Sequence, residues 1–383
     1  MNLELSEEQE AVRQLAEDFV AREITPHVVE WDRAESVDKS IVKKLGALGF
    51  LGLTVPEEYG GSGGDHLAYC LVTEELGRGD SSVRGIVSVS LGLVAKTIAS
   101  WGSEEQKQQW LPGLTSGEAI GCFGLTEPGT GSDAGNLTTR AVRDGEDYVV
   151  NGSKMFITNG TWADVVLLFA RTNDTPGHRG VSAFLVPADT PGLTRRTVHG
   201  KLGLRGQATA ELVLEDVRVP ASALLGPEGK GFSLAMSALA KGRMSVAAGC
   251  VGIAQAALDA AVRYAGEREQ FGKSIASYQL VQELISDISV DVDAARMLTW
   301  RVADLIDRGQ DFATAASTAK LFASEAAVRA ANNALQVFGG YGYIDEYPVG
   351  KLVRDARVMT LYEGTSQIQK LIIGRALTGV SAF

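Results

Sequence analysis

The polarity pattern changes twice along the chain. Up to about residue 120, apolar positions recur at helical spacing. "SEEQEAVRQLAEDFVAREI" opens on Ser6 with acids in its first turn, a helix-start signature. Its Val12, Leu15, Phe19 and Val20 then return on one face. Similar runs cover 39–48, 68–76 and 87–99, with the loop "VPEEYGGSGG" between them. From about 121 to 228, β-branched runs alternate with turn residues: "DYVV", "SKMFIT", "VVLLFA", "GVSAFLVPA" and "TAELVLEDVRVP". Asn151-Gly152 and Asn159-Gly160 predict hairpin turns, because both central residues of such turns need positive φ. Residues 228–347 contain no proline, so long helices are allowed there. That stretch is rich in Ala and Gly, which permit close helix approach. Gly309 and Gly339 fall where helix C-terminal caps belong. A last helix is predicted near Thr365, and Ser366 with Gln369 has the S-x-x-Q capping-box spacing.

The predicted fold is α+β and multidomain. An N-terminal α-helical domain covers 1–120, a middle antiparallel β domain 121–228, and a C-terminal four-helix bundle 229–383. The chain's 383 residues suit two or three domains. A net charge of −11 lacks the Lys/Arg excess that phosphate backbones require, so nucleic acid is excluded as a partner. "MNLELSEEQEAV" reads as neither a signal nor an Arg-rich transit peptide, and no uncharged apolar run approaches about 18 residues, so no membrane span is expected. Cys70, Cys122 and Cys250 are far apart, which suits a reducing, cytoplasmic location and gives no metal-ligand spacing.

Several stretches carry candidate chemistry. In "LYEGTSQIQK", Glu363 stands before a helix start; as bare residues this is either a loop carboxylate or a placed base. "TEPGTGSDAG" has glycines at 129, 131 and 135. The spacing misses the dinucleotide fingerprint, and the stretch lies at the entrance to a β domain without the preceding strand and following helix of a βαβ unit. Thr126, Ser132 and the glycine amides could form a shelf for a polar ring or an anion, or simply a turn. In "KMFITNG", a period of two puts Phe156 and Thr158 on one strand face. An aromatic there could cover a flat ring and a hydroxyl could reach its edge, or both could serve ordinary packing. In "GEREQFGK", Arg268 could grip phosphate and Phe271 could cover a base, or the segment is a charged interhelical turn. The four histidines are scattered in polar surroundings and form no catalytic constellation.

Taken in order, "FGLTEPGTGSD", "KMFITNG", "KLGLRG…ELVLEDVRVP", "KGR", "REQFGK", "QVFGGYGYIDEYPVGKLVRDARV" and "LYEGTSQIQ" resemble the acyl-CoA dehydrogenase family of flavoproteins over essentially the whole chain. The resemblance implies non-covalent FAD. Phe123, Leu125, Thr126, Gly131 and Ser132 match the segment around the flavin ring, and Phe156, Ile157 and Thr158 the positions beside it. Arg268, Gln270, Phe271 and Gln279 match residues that grip diphosphate and adenosine across a subunit boundary. Gln336, Val337, Gly339 and Gly340 match a loop touching the neighbour's FAD, and Thr365 and Gln367 match contacts after the base. This implies a homo-oligomer, commonly a dimer of dimers. Ser132, Arg243, Tyr362, Gly364 and Arg375 match positions around the substrate.

The implied reaction removes two hydrogens across Cα–Cβ of an acyl-CoA thioester. Glu363 takes the α proton, FAD N5 takes hydride, and electron-transferring flavoprotein reoxidises the flavin. A trans-2-enoyl-CoA results. Some relatives carry the base before the matched arginine, where this chain has Gly242, so the assignment falls on Glu363. Burial beside an acyl chain would raise its pKa. Ala240 replaces a common aspartate, and Lys96-Thr97 replaces a common Gly-Pro at the pocket helix. A short or short-branched acyl group is expected. The alternatives are the same chemistry on an acyl-carrier-protein thioester, a flavin oxidase or monooxygenase, and a non-catalytic flavin-binding protein.

Overall fold

The computed structural model describes residues 4–175 and 177–382. Helices open the chain: α1 (Glu7–Phe19), α2 (Val28–Ala34), α3 (Ile41–Ala47), α4 (His66–Gly79), α5 (Ser81–Val89), α6 (Lys96–Trp101) and α7 (Glu104–Ser116). Ser6 caps α1 in a capping box with Gln9. The expected run at 87–99 is part of a longer helical stretch. Asp80 accepts from the Ser82 N–H and starts α5 early, and a π-helical turn at Ser90–Ala95 joins α5 to α6. Such π turns recur at functional sites.

The middle of the chain forms β1 (Gly121–Gly124), β2 (Arg140–Asp144), β3 (Asp147–Ile157), β4 (Val165–Arg171), β5 (Val181–Pro187), β6 (Leu193–Thr197), β7 (Ala210–Pro220) and β8 (Leu224–Leu225). They order as β6-β7-β3-β2-β4-β5-β8, with β1 beside β4. The sheet is mixed rather than purely antiparallel: β1 runs parallel to β4, and β2 meets β4 through the parallel pair Arg140 and Arg171. Neither Asn-Gly pair makes a hairpin. Asn151-Gly152 lies inside β3, where the ladder to β7 shifts register. The β2–β3 hairpin instead turns at Gly145-Glu146, with Gly145 at φ 66°. Asn159 does take φ 64°, but β3 and β4 do not pair; its buried amide donates to the carbonyls of Ile86 and Gly121, tying the turn to α5 and β1.

The C-terminal region holds the four expected helices, α8 (Gly231–Glu267), α9 (Gln279–Asp307), α10 (Ala313–Phe338) and α12 (Ser366–Thr378), plus a shorter α11 (Val349–Met359). Gly309 and Gly339 follow α9 and α10 at positive φ. Between α8 and α9, β9 (Glu269–Gln270) and β10 (Lys273–Ser274) form a small hairpin with Phe271 and Gly272, both at positive φ, as its tip. Two helical stretches, 81–101 and 231–267, are long and apolar enough to cross a bilayer by length and composition alone, though each is interrupted by charged residues. Within those stretches 94% and 67% of the apolar windows are buried by the rest of the chain.

Helix α8 is the centre of the fold. Its Gly252 faces the backbone of α4, where a Cβ would overlap the Glu74 carbonyl oxygen, and a Cβ on Gly77 of α4 would lie 2.7 Å from the Gly249 carbonyl oxygen. Small residues here allow backbone-to-backbone packing that no larger side chain permits. Gly252→Ala therefore separates two opposed effects. Helix propensity alone favours alanine by ~1 kcal/mol, whereas overpacking costs ~1–3 kcal/mol. The clash is with backbone and cannot rotate away, so we expect a net loss of up to ~2 kcal/mol in urea denaturation; a stabilised variant would refute the packing account.

Candidate active site

Glu363 sits in a backbone bend that its own neighbours hold. It takes φ 51° and Gly364 takes φ 90°, conformations that non-glycine residues rarely adopt. Lys320, buried on α10, donates to the Gly364 carbonyl at 2.8 Å. Gln369 donates to the carbonyls of Glu363 and Gly364 at 3.2 and 3.0 Å. Its amide also fills the space a Cβ on Gly364 would need. Thr365, not Ser366, caps α12 by accepting from the Ile368 N–H. Ser366 instead donates to Glu325, so the Ser366–Gln369 capping box does not form. The Glu363 N–H keeps no acceptor among the described residues.

The Glu363 side chain points at α8. Its Oε2 is buried with no hydrogen-bond partner, and a Cβ on Gly242 would overlap it. Leu93 closes the same corner, within a small apolar cluster of Val89, Leu93 and Ala238 packed by Phe123 and Leu239. Burial pushes the Glu363 pKa up, against the pull of Arg84, Lys320 and Arg243. Burial likewise lowers Arg243 and brings Lys320 down to about 8. Arg243 donates to Ser317 at 3.4 Å and leaves Nε unpaired. Tyr362 donates to the Met359 sulfur and accepts from Arg84.

A second surface comes from the sheet. A short strand, β1, precedes the glycine-rich stretch and β2 rather than an α-helix follows, so the stretch does not sit in a βαβ unit. A buried ion pair pins this stretch to β3: Lys154 Nζ lies 2.8 Å from Glu127 Oε1 and donates to the Leu125 carbonyl. Thr138 and Thr139 add backbone and hydroxyl donors to Glu127. Burial would raise the Glu127 pKa, but Lys154 and these donors hold it at about 2. Above this pair, Gly129, Gly131 and Ser132 are exposed and Thr126 is half-buried. Phe156 and Thr158 do not share a strand face by alternation, because β3 ends at Ile157 and bulges between Lys154 and Ile157. The bulge puts Phe156 at φ 60° and leaves its side chain 64% exposed, so the ring is offered outward all the same. Thr158 donates to Gln207. Leu125 and Ile157 turn into the core and offer only backbone.

A third set lies at the far end of α8. Arg268, Gln270, Phe271, Val337, Gly339 and Gly340 line one open cavity of about 680 Å³ with Tyr264, Tyr278 and Tyr341. Phe271 is 94% exposed, and the Arg268 guanidinium lies over the Tyr341 ring. A Cβ on Gly339 or Gly340 would meet nothing within 4 Å. No residue of the sheet set lines this cavity. Gln279, Gln336 and Gln367 are exposed outside it, and Arg375 lies exposed in the last turn of α12, about 14 Å along the helix from Ser366. The donor sets fit a flavin dinucleotide: an exposed aromatic and an open polar shelf suit a flat ring, and an arginine beside an open glycine turn suits a diphosphate.

Sequence reasoning missed Arg84, Lys320 and the pair Glu127–Lys154. A signal existed for Lys320, which falls on the same helical stripe as the buried Ala316, Ala319, Ala323 and Ala327. Arg84 stands as the first of only two charges in the otherwise uncharged stretch 81–101.

The comparisons agree with this geometry. Family models match three successive parts of the chain: acyl-CoA dehydrogenase N-terminal domain over 6–118, middle domain over 122–217 and C-terminal domain over 229–378. The chain is 45% identical over 372 residues to the mitochondrial short-chain specific acyl-CoA dehydrogenase of Homo sapiens, covering 97% of this chain and 90% of that one. A chain in the structure of the electron transferring flavoprotein of Acidaminococcus fermentans superposes with TM-score 0.97 at 42% identity, covering 99% and 100%. A glutaryl-CoA dehydrogenase of Mycobacterium smegmatis in complex with FADH2 superposes with TM-score 0.95 at 38% identity, covering 99% and 96%.

The Glu127–Lys154 pair generates a test independent of catalysis. Lys154→Met should cost ~3–5 kcal/mol in thermal or chemical denaturation, because it strands a buried carboxylate. In the unaltered protein, Glu127 has a folded pKa below its ordinary value, so its contribution is complete above about pH 4.5 and is lost as pH falls through about 2. The acid loss should be smaller in Lys154→Met; an identical acid transition would exclude Glu127 as its source.

Proposed function

Because this chain belongs to the acyl-CoA dehydrogenase family and is an oxidoreductase of that type, we propose that it converts a short acyl-CoA thioester to the trans-2-enoyl-CoA with Glu363 as the base for the α proton. The observation that carries this reading is the Glu363 carboxylate: Oε2 is buried, unpartnered, and aimed across the empty face of Gly242. A carboxylate in water is too weak a base for a thioester α proton. Burial raises its pKa, and three cations keep it able to ionise. The bend held by Lys320 and Gln369 fixes the carboxylate's direction, so little reorganisation is needed when substrate arrives. The same bend leaves the Glu363 N–H free to donate to a thioester carbonyl as negative charge develops on its oxygen. Leu93, Val89 and Ala238 exclude water beside the acyl chain.

FAD held against this face would supply the acceptor for the β hydride. Thr126, Ser132, Phe156 and Thr158 would hold its ring. Arg268, Gln270 and Phe271, with Val337, Gly339 and Gly340, would hold the diphosphate and adenosine of a neighbouring subunit's cofactor. Supporting this is the fact that the sheet set and the 680 Å³ cavity set are separate surfaces of one chain, each of which a second copy could complete. A homo-oligomer follows, as does reoxidation by electron-transferring flavoprotein.

The enzyme should purify yellow, and Glu363→Gln should retain FAD while losing ~10²–10⁴-fold in the anaerobic bleaching rate with butyryl-CoA. Because Glu363 must be ionised to accept a proton and its pKa is raised, bleaching by the unaltered enzyme should fall as pH drops, with a midpoint above the usual carboxylate range. Near-normal bleaching by Glu363→Gln would defeat the base assignment. Parallel trials with a butyryl-acyl-carrier-protein thioester decide between the two carriers.

A further inference from the structure

The base and the surface offered to the flavin stand on different parts of the chain. Glu363 follows α11 by four residues, whereas Thr158 directly follows β3. Loss of a proton at Cα and of hydride at Cβ needs both parts at one fixed separation, and a misplacement of ~1 Å can cost ~10²-fold in rate. One buried carboxylate, Asp355 of α11, stands where the two parts are joined. It is 1% exposed and uses both oxygens. Oδ1 accepts from the Leu204 N–H at 2.7 Å, and Oδ2 accepts from Lys351 at 2.5 Å. Lys351 lies in turn 3.2 Å from Asp80, the residue that caps α5. Burial opposes a charge on Lys351, but Asp355 and Asp80 hold its pKa above the ordinary lysine value.

The loop on the other side of this junction is held under strain. Leu204 takes φ 47°, a conformation that costs a leucine energy and persists only where its surroundings impose it. Beside it, Gly203 lies against the α11 backbone, where a Cβ would stand 2.2 Å from the Arg354 carbonyl oxygen. Arg354 donates to the Leu202 carbonyl at 3.2 Å. Both ends of the junction then lead into the site. Along α11 the chain runs from Asp355 to the base loop, where Tyr362 accepts from Arg84 of α5. Along the loop it runs from Leu204 to Gln207, whose Oε1 accepts from the Thr158 hydroxyl at 3.3 Å. The Gln207 amide also covers Gly85 of α5, where a Cβ would overlap its Nε2. An apolar contact between loop and helix could slide, whereas a buried ion pair joined to a backbone hydrogen bond fixes one register.

We infer that Asp355, with Lys351, is a positioning residue for the reaction: it locks the 202–207 loop to α11 and so sets the gap between Glu363 and the flavin ring beside Thr158. This inference rests on the dehydrogenase reading above and adds to it a residue that acts through Glu363 and Thr158.

The test is anaerobic flavin bleaching by the FAD-loaded enzyme, with whichever of butyryl-, isobutyryl-, hexanoyl- and glutaryl-CoA bleaches the unaltered protein fastest. Asp355→Asn keeps an acceptor for the Leu204 N–H but removes the charge that Lys351 meets. It should retain FAD and hold KM for that thioester within about threefold, while the limiting bleaching rate falls tenfold or more. Gly203→Ala leaves every charge in place and pushes the loop off α11, so it should show the same split. In a Glu363→Gln background, Asp355→Asn should cost less than about threefold, because the gap to a missing base no longer matters. An unchanged limiting rate in either variant overturns the inference and leaves the dehydrogenase reading standing. A loss confined to KM, or one that adds in full to that of Glu363→Gln, overturns it as well, since a purely structural role would give that result. If Asp355→Asn does not fold, Gly203→Ala, alone and with Glu363→Gln, decides. Bleaching of the unaltered protein by no thioester overturns both readings.

Discussion

Close approach of α8 to the N-terminal helices is the constraint on which the rest depends. Three glycines on α8 meet three different neighbours: Gly252 faces the α4 backbone, Gly249 faces the Arg84 side chain, and Gly242 faces the Glu363 carboxylate. A side chain at any of them would displace its neighbour. The helix therefore does more than fill a core. It sets the distance at which the α4–α5 pair, the base loop and the bundle can meet, and every charged group near Glu363 is positioned by that spacing.

With the spacing set, electrostatics determines what the corner can do. Glu363 is surrounded by cations that do not pair with it, an arrangement unlike Glu127–Lys154, where carboxylate and ammonium meet at 2.8 Å. The pair is structural: it locks the glycine-rich segment to β3 and drives the carboxylate pKa down. The unpaired carboxylate is left available for chemistry: burial drives its pKa up with no hydrogen-bonded partner to oppose it. The same residue type thus serves opposite ends, and the difference lies in whether a hydrogen-bonded partner is in place.

Backbone strain follows the same division. Phe156, Phe271 and Glu363 are three of the seven non-glycine residues at positive φ among the described residues, and each presents a side chain to one of the three candidate surfaces. Each is held by its surroundings: a strand bulge, a two-residue hairpin tip, and the Lys320–Gln369 clamp. Strain of this kind persists when surrounding structure over-determines it, which fits sites whose side-chain direction matters.

Much of this was legible in the chain itself. The switch from helical spacing to alternation and back marks the α–β–α order, because those periods reflect which faces must be buried. Ser6 caps α1 as its sequence predicts, and the ordered motifs place Glu363, Thr126 and Arg268 in one family. Local rules failed where distant residues intervened. Asn151-Gly152 is absorbed into β3 because its pairing partner is β7, and Asn159 serves as a cross-link to Ile86 and Gly121. The capping role passes from Ser366 to Thr365 because Glu325 claims the serine and Gln369 turns to the carbonyls of the base loop. The sequence by itself determined the order of elements and the identity of the candidate base. Only the tertiary structure decided that Arg84, Lys96 and Lys320 are buried, which carboxylate is paired and which is not, and where Glu363 points. Those properties depend on desolvation and on contacts such as Arg84 to Tyr362, 278 positions apart, which no local pattern encodes.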